Sequence, residues 1–266
     1  MKQLIMAGLI ATFCTSAAEA QEKASRSSET FIEVGGGVGA IDAGSFEFIN
    51  PLGANYISTF PVPVPGVSKT KGNDIVLDSQ RRSAMSPAAE FTIGHFVTDT
   101  LYLRASYRYL GKYHLSGSAG FPLDPTIPIT IAFDQDYYLR AHAIYLGIGW
   151  QKDLTRTLFI DLSAEGGAAR LRSVSRQGAN VGDPFGHPAR SVTNLSGGVE
   201  AGLGVRVGRR IDLIFKARAA LLGNASTGLS QQMMTPDGNY GINPGEQLKL
   251  HNLKNYSLGA TLRVSF

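Results

Sequence analysis

Cysteine is nearly absent. The one copy, Cys14, lies close to the N-terminus, so the rest of the chain has no disulfide framework and no thiol chemistry. Long apolar runs are missing too: beyond residue 20, no stretch approaches the ~18 consecutive apolar residues that a membrane helix requires. Charge is scarce at 17% of residues, below the roughly 25% usual for soluble domains. The net charge of +4 is modest, and a balance of that size does not call for a nucleic-acid partner. The five histidines show no H-E-x-x-H or paired ligand spacing, so neither a metal site nor a cofactor is expected. Gly35-Gly36-Gly37 lacks the Lys-Ser/Thr that completes a phosphate-binding loop.

The N-terminus carries an export signal. Lys2 supplies the positive end, Leu4 to Phe13 the short apolar core, and Ala18-Glu19-Ala20 a small-residue cleavage site. Residues 1–20 therefore read as a signal peptide, 21–29 as a short periplasmic segment and 30–266 as one domain.

That domain alternates. Leu101, Leu103, Ala105, Tyr107 and Tyr109 share one parity, and Tyr102, Arg104, Ser106 and Arg108 share the other. The same period of two recurs over 30–41, 87–97, 136–151, 157–170, 193–207, 211–222 and 256–266, giving eight segments in all. Most are longer than the 5–6 residues common in globular strands and match the ~9–11 residues a tilted strand needs to cross a bilayer. Short connections at 98–100, 152–156 and 208–210 alternate with long ones at 42–86, 111–135, 171–192 and 223–254. Short and long in turn predict an all-β, transmembrane up-and-down antiparallel β-barrel of eight strands, with four long extracellular loops and short periplasmic turns. A soluble β-sandwich would also alternate. Here, however, the aliphatic parity is uniform, and the charged parity is rich in glycine. That suits lipid outside and a narrow polar lumen inside. An open edge is not tolerated in lipid, so the sheet must close.

The charged parity holds Glu33, Glu90, Arg104, Arg108, Asp161, Glu165, Glu200, Arg206, Asp212, Lys216, Arg218 and Arg263, six acids and six bases. An eight-stranded lumen is just wide enough to be filled by side chains. Balanced charges in that space predict an ion-pair plug; the alternative is a narrow or gated pore lined by the same residues. Tyr107, Tyr109 and Tyr113 approach the outer rim, and Trp150 and Phe266 the periplasmic one, as two aromatic girdles would. In the long loops, Arg81, Arg82, Arg172 and Arg176 form a basic patch suited to lipopolysaccharide phosphate or anionic host glycans. Phe121 to Ile129 is unusually apolar for a loop and suggests a lid over the barrel mouth.

With its export signal, eight alternating strands, alternating loop lengths and terminal "LRVSF", the chain resembles the small bacterial outer-membrane β-barrels of the OmpA-barrel, OmpX and OmpW type. The resemblance implies the outer membrane of a Gram-negative cell. It implies outer-membrane lipids, lipopolysaccharide and the outer-membrane insertion machinery as partners, and leaves room for a host or surface ligand at the loops. It also implies that Tyr256, Leu258, Leu262, Val264 and Phe266 form the C-terminal assembly signal that this machinery reads. The function implied is envelope integrity and surface interaction without catalysis. A small porin or OmpW-like channel is the alternative, and a lipid A-modifying enzyme the third reading. Such enzymes expose a His and a Ser two residues apart, whereas His142 is followed at that spacing by Ile144.

Overall fold

A period of two, carried by Val, Ile, Leu and Tyr, keeps the backbone extended and puts successive side chains on opposite faces. The structure, a computed structural model, describes residues 26–43, 45–49, 76–78, 83–124, 127–177, 186–229 and 247–266. The signal segment 1–20, Arg81 and Arg82 lie outside the described residues.

All described strands belong to one antiparallel sheet: β1 (Thr30–Asp42), β2 (Ser45–Ile49), β3 (Val76–Asp78), β4 (Ser83–Phe96), β5 (Leu101–Asp124), β6 (Ile127–Asp153), β7 (Leu158–Gln177), β8 (Gly186–Arg206), β9 (Ile211–Ser226) and β10 (Gln247–Ser265). Eight of them run around a circle in the order β1, β4, β5, β6, β7, β8, β9, β10, and β10 pairs back onto β1. The seam is complete: Phe31 to Asp42 align with Ser265 to Lys254. The Thr30 amide donates to the Phe266 carbonyl at 3.2 Å, and the Phe266 amide donates back at 2.9 Å. This is the closed eight-stranded barrel that the alternation predicts. The short β2 pairs with β10 and β3 with β5, extending the wall outward.

Two of the three tight turns share one chemistry. In 97–100, Thr98 Oγ1 accepts from the Leu101 amide at 2.9 Å; in 154–157, Thr155 Oγ1 accepts from the Leu158 amide at 3.0 Å. A hydroxyl near the start of each turn satisfies an amide the ladder leaves free. Residues 26–29 lie along the first of these turns, with the Arg26 and Ser27 amides donating to Asp99 Oδ1 at 3.0 and 3.2 Å.

The long connections are more structured than the sequence suggests. β5 and β6 continue as a hairpin, with Phe121 opposite Ile131 and Asp124 opposite Ile127. Residues 121–124 and 127–129 are therefore strand, not a lid. The run Ile127, Ile129, Ile131 favours an extended chain, and the ladder satisfies backbone groups that a loose lid would leave open.

Near the outer rim, β-bulges reverse the parity. In β5 the register slips between Tyr109 and Gly111, and Gly111 has φ 121°. Leu110 and Gly111 both turn inward, after which Lys112 and His114 face out and Tyr113 and Leu115 face in. Tyr113 is thus a lumen residue, not part of the outer girdle. In β10 a slip between Leu250 and Leu253, with Asn252 at φ 54° and Gly223 of β9 at φ 81°, does the same.

Two zones of the barrel meet at the level of these bulges. Below them the outward face is apolar, with Leu195 at 92% and Leu146 at 69% exposure, while the inward face is charged. Above them Lys112, His114, Arg140, Arg172 and Lys254 face water, and Ile41, Leu115, Leu139, Leu171, Leu222, Leu248, Leu250 and Leu253 fill the interior.

Candidate functional site: the barrel lumen and its outer face

The periplasmic end of the lumen is floored by aromatic rings. Phe31, Tyr102 and Phe159 each stand directly opposite an inward glycine on the next strand: Gly94, Gly149 and Gly204. A Cβ on any of these glycines would lie 2.0–2.1 Å from the ring above it, so only glycine lets the rings lie flat against the wall. Phe31, Phe96 and Tyr102 pack mutually with centroids 5.3–5.5 Å apart. This floor is not apparent from the charged residues. Its signal in the sequence is an aromatic on the lumen parity.

Arg263 lies directly above the floor. Its guanidinium is 4.3 Å from the Phe31 centroid and 5.3 Å from that of Tyr102, a cation–π arrangement. Its nitrogens donate to Glu33 Oε1 at 2.7 Å, Gln151 Oε1 at 2.5 Å and Asp161 Oδ2 at 2.7 Å. The Tyr102 hydroxyl donates to the other Asp161 oxygen at 2.6 Å. Lys216 Nζ links this cluster to the next level, 2.6 Å from Glu33, 3.3 Å from Glu90 and 3.2 Å from Glu200.

The middle of the lumen is filled by Arg104, Arg108 and Arg218 around Glu165 and Glu200. Arg104 donates to Glu200 at 2.8 Å and to Ser163 at 2.9 Å. Arg108 donates to Glu90 at 2.9 Å, to Glu200 at 2.8 Å and to Glu165. Arg218 lies 2.6 Å from Glu165, with its guanidinium over the Tyr145 ring at 4.8 Å. Five carboxylates and five cations thus form one continuous, charge-balanced network. Buried charges need this kind of pairing, because each one left alone is strongly destabilising.

Arg206 and Asp212 are not part of that network. Arg206 turns to the periplasmic rim, bonding Asp153 and donating to the Arg156 carbonyl at 2.9 Å. Asp212 is buried beside the seam and forms no ion pair among the described residues. Above the ions, Asn255 Nδ2 donates to the Tyr113 hydroxyl at 3.0 Å and to the Ala40 carbonyl at 3.1 Å, and Tyr113 in turn donates to the Leu110 carbonyl. The apolar interior of the outer zone closes over this polar layer. A cavity of about 40 Å³ remains beside Glu90, Arg108 and Lys216, room for about two or three waters.

On the outer wall, Tyr107 and Phe266 are exposed, and Tyr109 and Trp150 are half-buried. The Tyr107 hydroxyl pairs with His142 Nδ1 at 2.8 Å. Tyr256, Leu258, Leu262, Val264 and Phe266 form one outward stripe along β10. Of the basic patch, Arg81 and Arg82 lie outside the described residues, as does the side chain of Arg176. Arg172 sits on β7 and not in a loop, facing out.

A closed wall, an apolar outer belt and a charge-filled lumen define a transmembrane β-barrel of the kind found in bacterial outer membranes. Among solved structures, the chain is similar to the outer membrane protease OmpT from Escherichia coli, with TM-score 0.53 and 10% identity over 93% of this chain and 99% of that one. It is also similar to the outer membrane protein OprG from Pseudomonas aeruginosa, with TM-score 0.48 and 11% identity over 90% and 96%. A third is Neisserial surface protein A, with TM-score 0.39 and 13% identity over 90% and 97%. At such identities the likeness concerns fold alone. No protein-family model matches the sequence, and no curated protein is significantly similar to it.

Proposed function

We propose that this protein is a non-conducting, non-catalytic barrel of the outer membrane, which stiffens the envelope and presents its outer zone for surface interactions. The observation that carries the reading is the triple obstruction of the lumen: aromatic floor, ion network and apolar upper interior follow one another along the axis. Ions crossing it would have to break charge pairs whose side chains are almost wholly buried. Outer-membrane lipids and lipopolysaccharide are the partners of the belt, and the outer zone is the part free to meet a host or surface ligand. The outward stripe ending in Phe266 supports its role as the signal to the insertion machinery, and Phe266→Ala is expected to lower the yield of assembled protein in outer membranes. The signal peptide at 1–20 and the periplasmic segment at 21–29 complete the proposed organisation.

The test is conductance of the refolded chain in a planar bilayer, with folding checked by heat-modifiable gel migration. A silent bilayer is expected from the native sequence. Reproducible openings, altered by Arg104→Ala or Glu165→Ala, would replace the plug with the small-channel reading.

A further inference from the structure

We infer that Lys112, Arg140, Arg170 and Arg172, on the outer wall of β5, β6 and β7, form a binding site for a multiply phosphorylated glycolipid headgroup in the outer leaflet. The inference rests on the membrane-barrel reading, which sets the depth of these residues.

The register brings the cations together. Lys112 is directly opposite Arg140, and Arg140 is directly opposite Arg172. Arg170 lies one outward position closer to the membrane on β7, opposite His142. All four face out and are exposed. Neighbouring strands are about 5 Å apart, so three cations sit side by side across about 10 Å. Like charges placed directly opposite one another destabilise a sheet.

None of the described acids neutralises the row. Among the described residues, no carboxylate pairs with any of the four. Asp136, an acid farther out on β6, is engaged by His114 at 2.6 Å. The opposite side of the barrel differs: there the outward Lys254 has Asp42 directly across the ladder. Among the described residues, the β5–β7 wall thus holds three cations in register where the β1–β10 seam holds a cation opposite an acid.

The depth fits a headgroup. Immediately below Arg140 on the same face come His142, hydrogen-bonded to Tyr107, and then the exposed Ile144, Leu146 and Ile148. Tyr107 and Tyr109 occupy the aromatic level, where rings sit at the boundary of hydrocarbon and headgroups. Arg170 lies level with Tyr109 and His142, and the row of Lys112, Arg140 and Arg172 lies one step farther out, at the level of lipid phosphates. Two or more phosphates on one headgroup would match a row this long, with arginine binding each by two donors. The bulge at Gly111 builds the site. Without that parity reversal, Lys112 would point into the lumen.

The site is tested by native mass spectrometry of the refolded full chain in detergent, titrated with bis-phosphorylated lipid A and with its phosphate-free form. The bis-phosphorylated lipid is expected to be retained at least about 10-fold better, less so at high salt. Arg140→Gln with Arg172→Gln is expected to abolish that preference, while Arg209→Gln with Arg210→Gln at the periplasmic turn preserves it. Equal retention of the two lipids, or an undiminished preference in the R140Q/R172Q protein, overturns the site. Displacement of the lipid by equimolar inorganic pyrophosphate would assign the row to soluble anions and overturn the lipid headgroup as its ligand. A chain that gives no folded, heat-modifiable band sinks the membrane reading itself, so the two failures are distinguishable.

Discussion

The two zones of the barrel follow opposite rules. In the belt, Leu146, Leu195 and Leu258 face outward and Arg104, Arg108 and Glu165 inward; in the outer zone, Leu139, Leu171 and Leu250 face inward and Lys112, Arg140 and Arg172 outward. The same sheet thus has a polar core where its surroundings are apolar, and an apolar core where they are aqueous. The solvent on the outside decides which face is buried. On β6 and β7 the inner face passes from Tyr145 and Glu165 to Leu139 and Leu171 in one unbroken phase, by residue type alone, whereas β5 and β10 change phase at bulges beside Gly111 and Asn252.

Four changes probe this division. The largest effect is expected in the belt. Glu165→Ala would leave Arg218 without its carboxylate and remove one of several from Arg104 and Arg108, and the loss should be about 3–5 kcal/mol in urea unfolding from vesicles. A loss below about 1 kcal/mol would show that lumen water already solvates these arginines. In the outer zone, Leu250→Ala removes a buried core side chain and should cost about 2–4 kcal/mol. Hydrogen exchange should quicken in β2 and the outer part of β10 while the belt stays protected; uniform quickening would mean that the zones unfold as one. At the boundary, Gly111→Ala puts a Cβ 2.6 Å from the Ser86 side chain at φ 121°. A cost of about 1–3 kcal/mol is expected, and an unchanged urea midpoint would remove the bulge as a rigid joint.

The smallest effect is a pH dependence confined to the outer zone. His187 is buried there, bonded to Ser175 at 2.7 Å, and burial pushes its pKa down to about 4. The unfolded chain, with an ordinary histidine, takes up the proton first. Stability is therefore full above about pH 6.5 and falls as the pH drops toward 4, by about 1 kcal/mol at pH 5.5. In His187→Asn that slope between pH 6.5 and 4 should flatten in exchange measurements on β7 and β8. A slope that persists would assign it to another group.

Much of the belt was legible in the sequence. The period of two locates all eight strands because lipid imposes one polarity on every outward position, and the lumen parity of residues such as Glu33 and Arg263 follows directly. Four features were not legible. Gly111 looks like any of the 31 glycines, since a bulge is defined by the partner strand. The floor depends on Phe31 meeting Gly94, a register between β1 and β4 that alternation does not encode. The outer zone reads as loop because its strands mix prolines with both parities, and Arg172 on β7 accordingly reads as a loop residue. Arg206 and Asp212 have the right parity for the ion network, but their height along the axis, which alternation does not encode, takes them out of it.

The ion network also constrains how the chain can enter a bilayer. Its partners come from distant strands: Glu33 of β1 is bonded by Lys216 of β9 and Arg263 of β10, while Arg104 and Arg108 of β5 hold Glu165 of β7 and Glu200 of β8. A hairpin inserted on its own would carry several of these charges unpaired, and a single cation facing mid-bilayer lipid costs about 2–4 kcal/mol. Stepwise threading would therefore meet a barrier at every strand. Bringing charges from both ends of the sequence together before they meet lipid removes that cost, which couples crossing the membrane to closing the barrel.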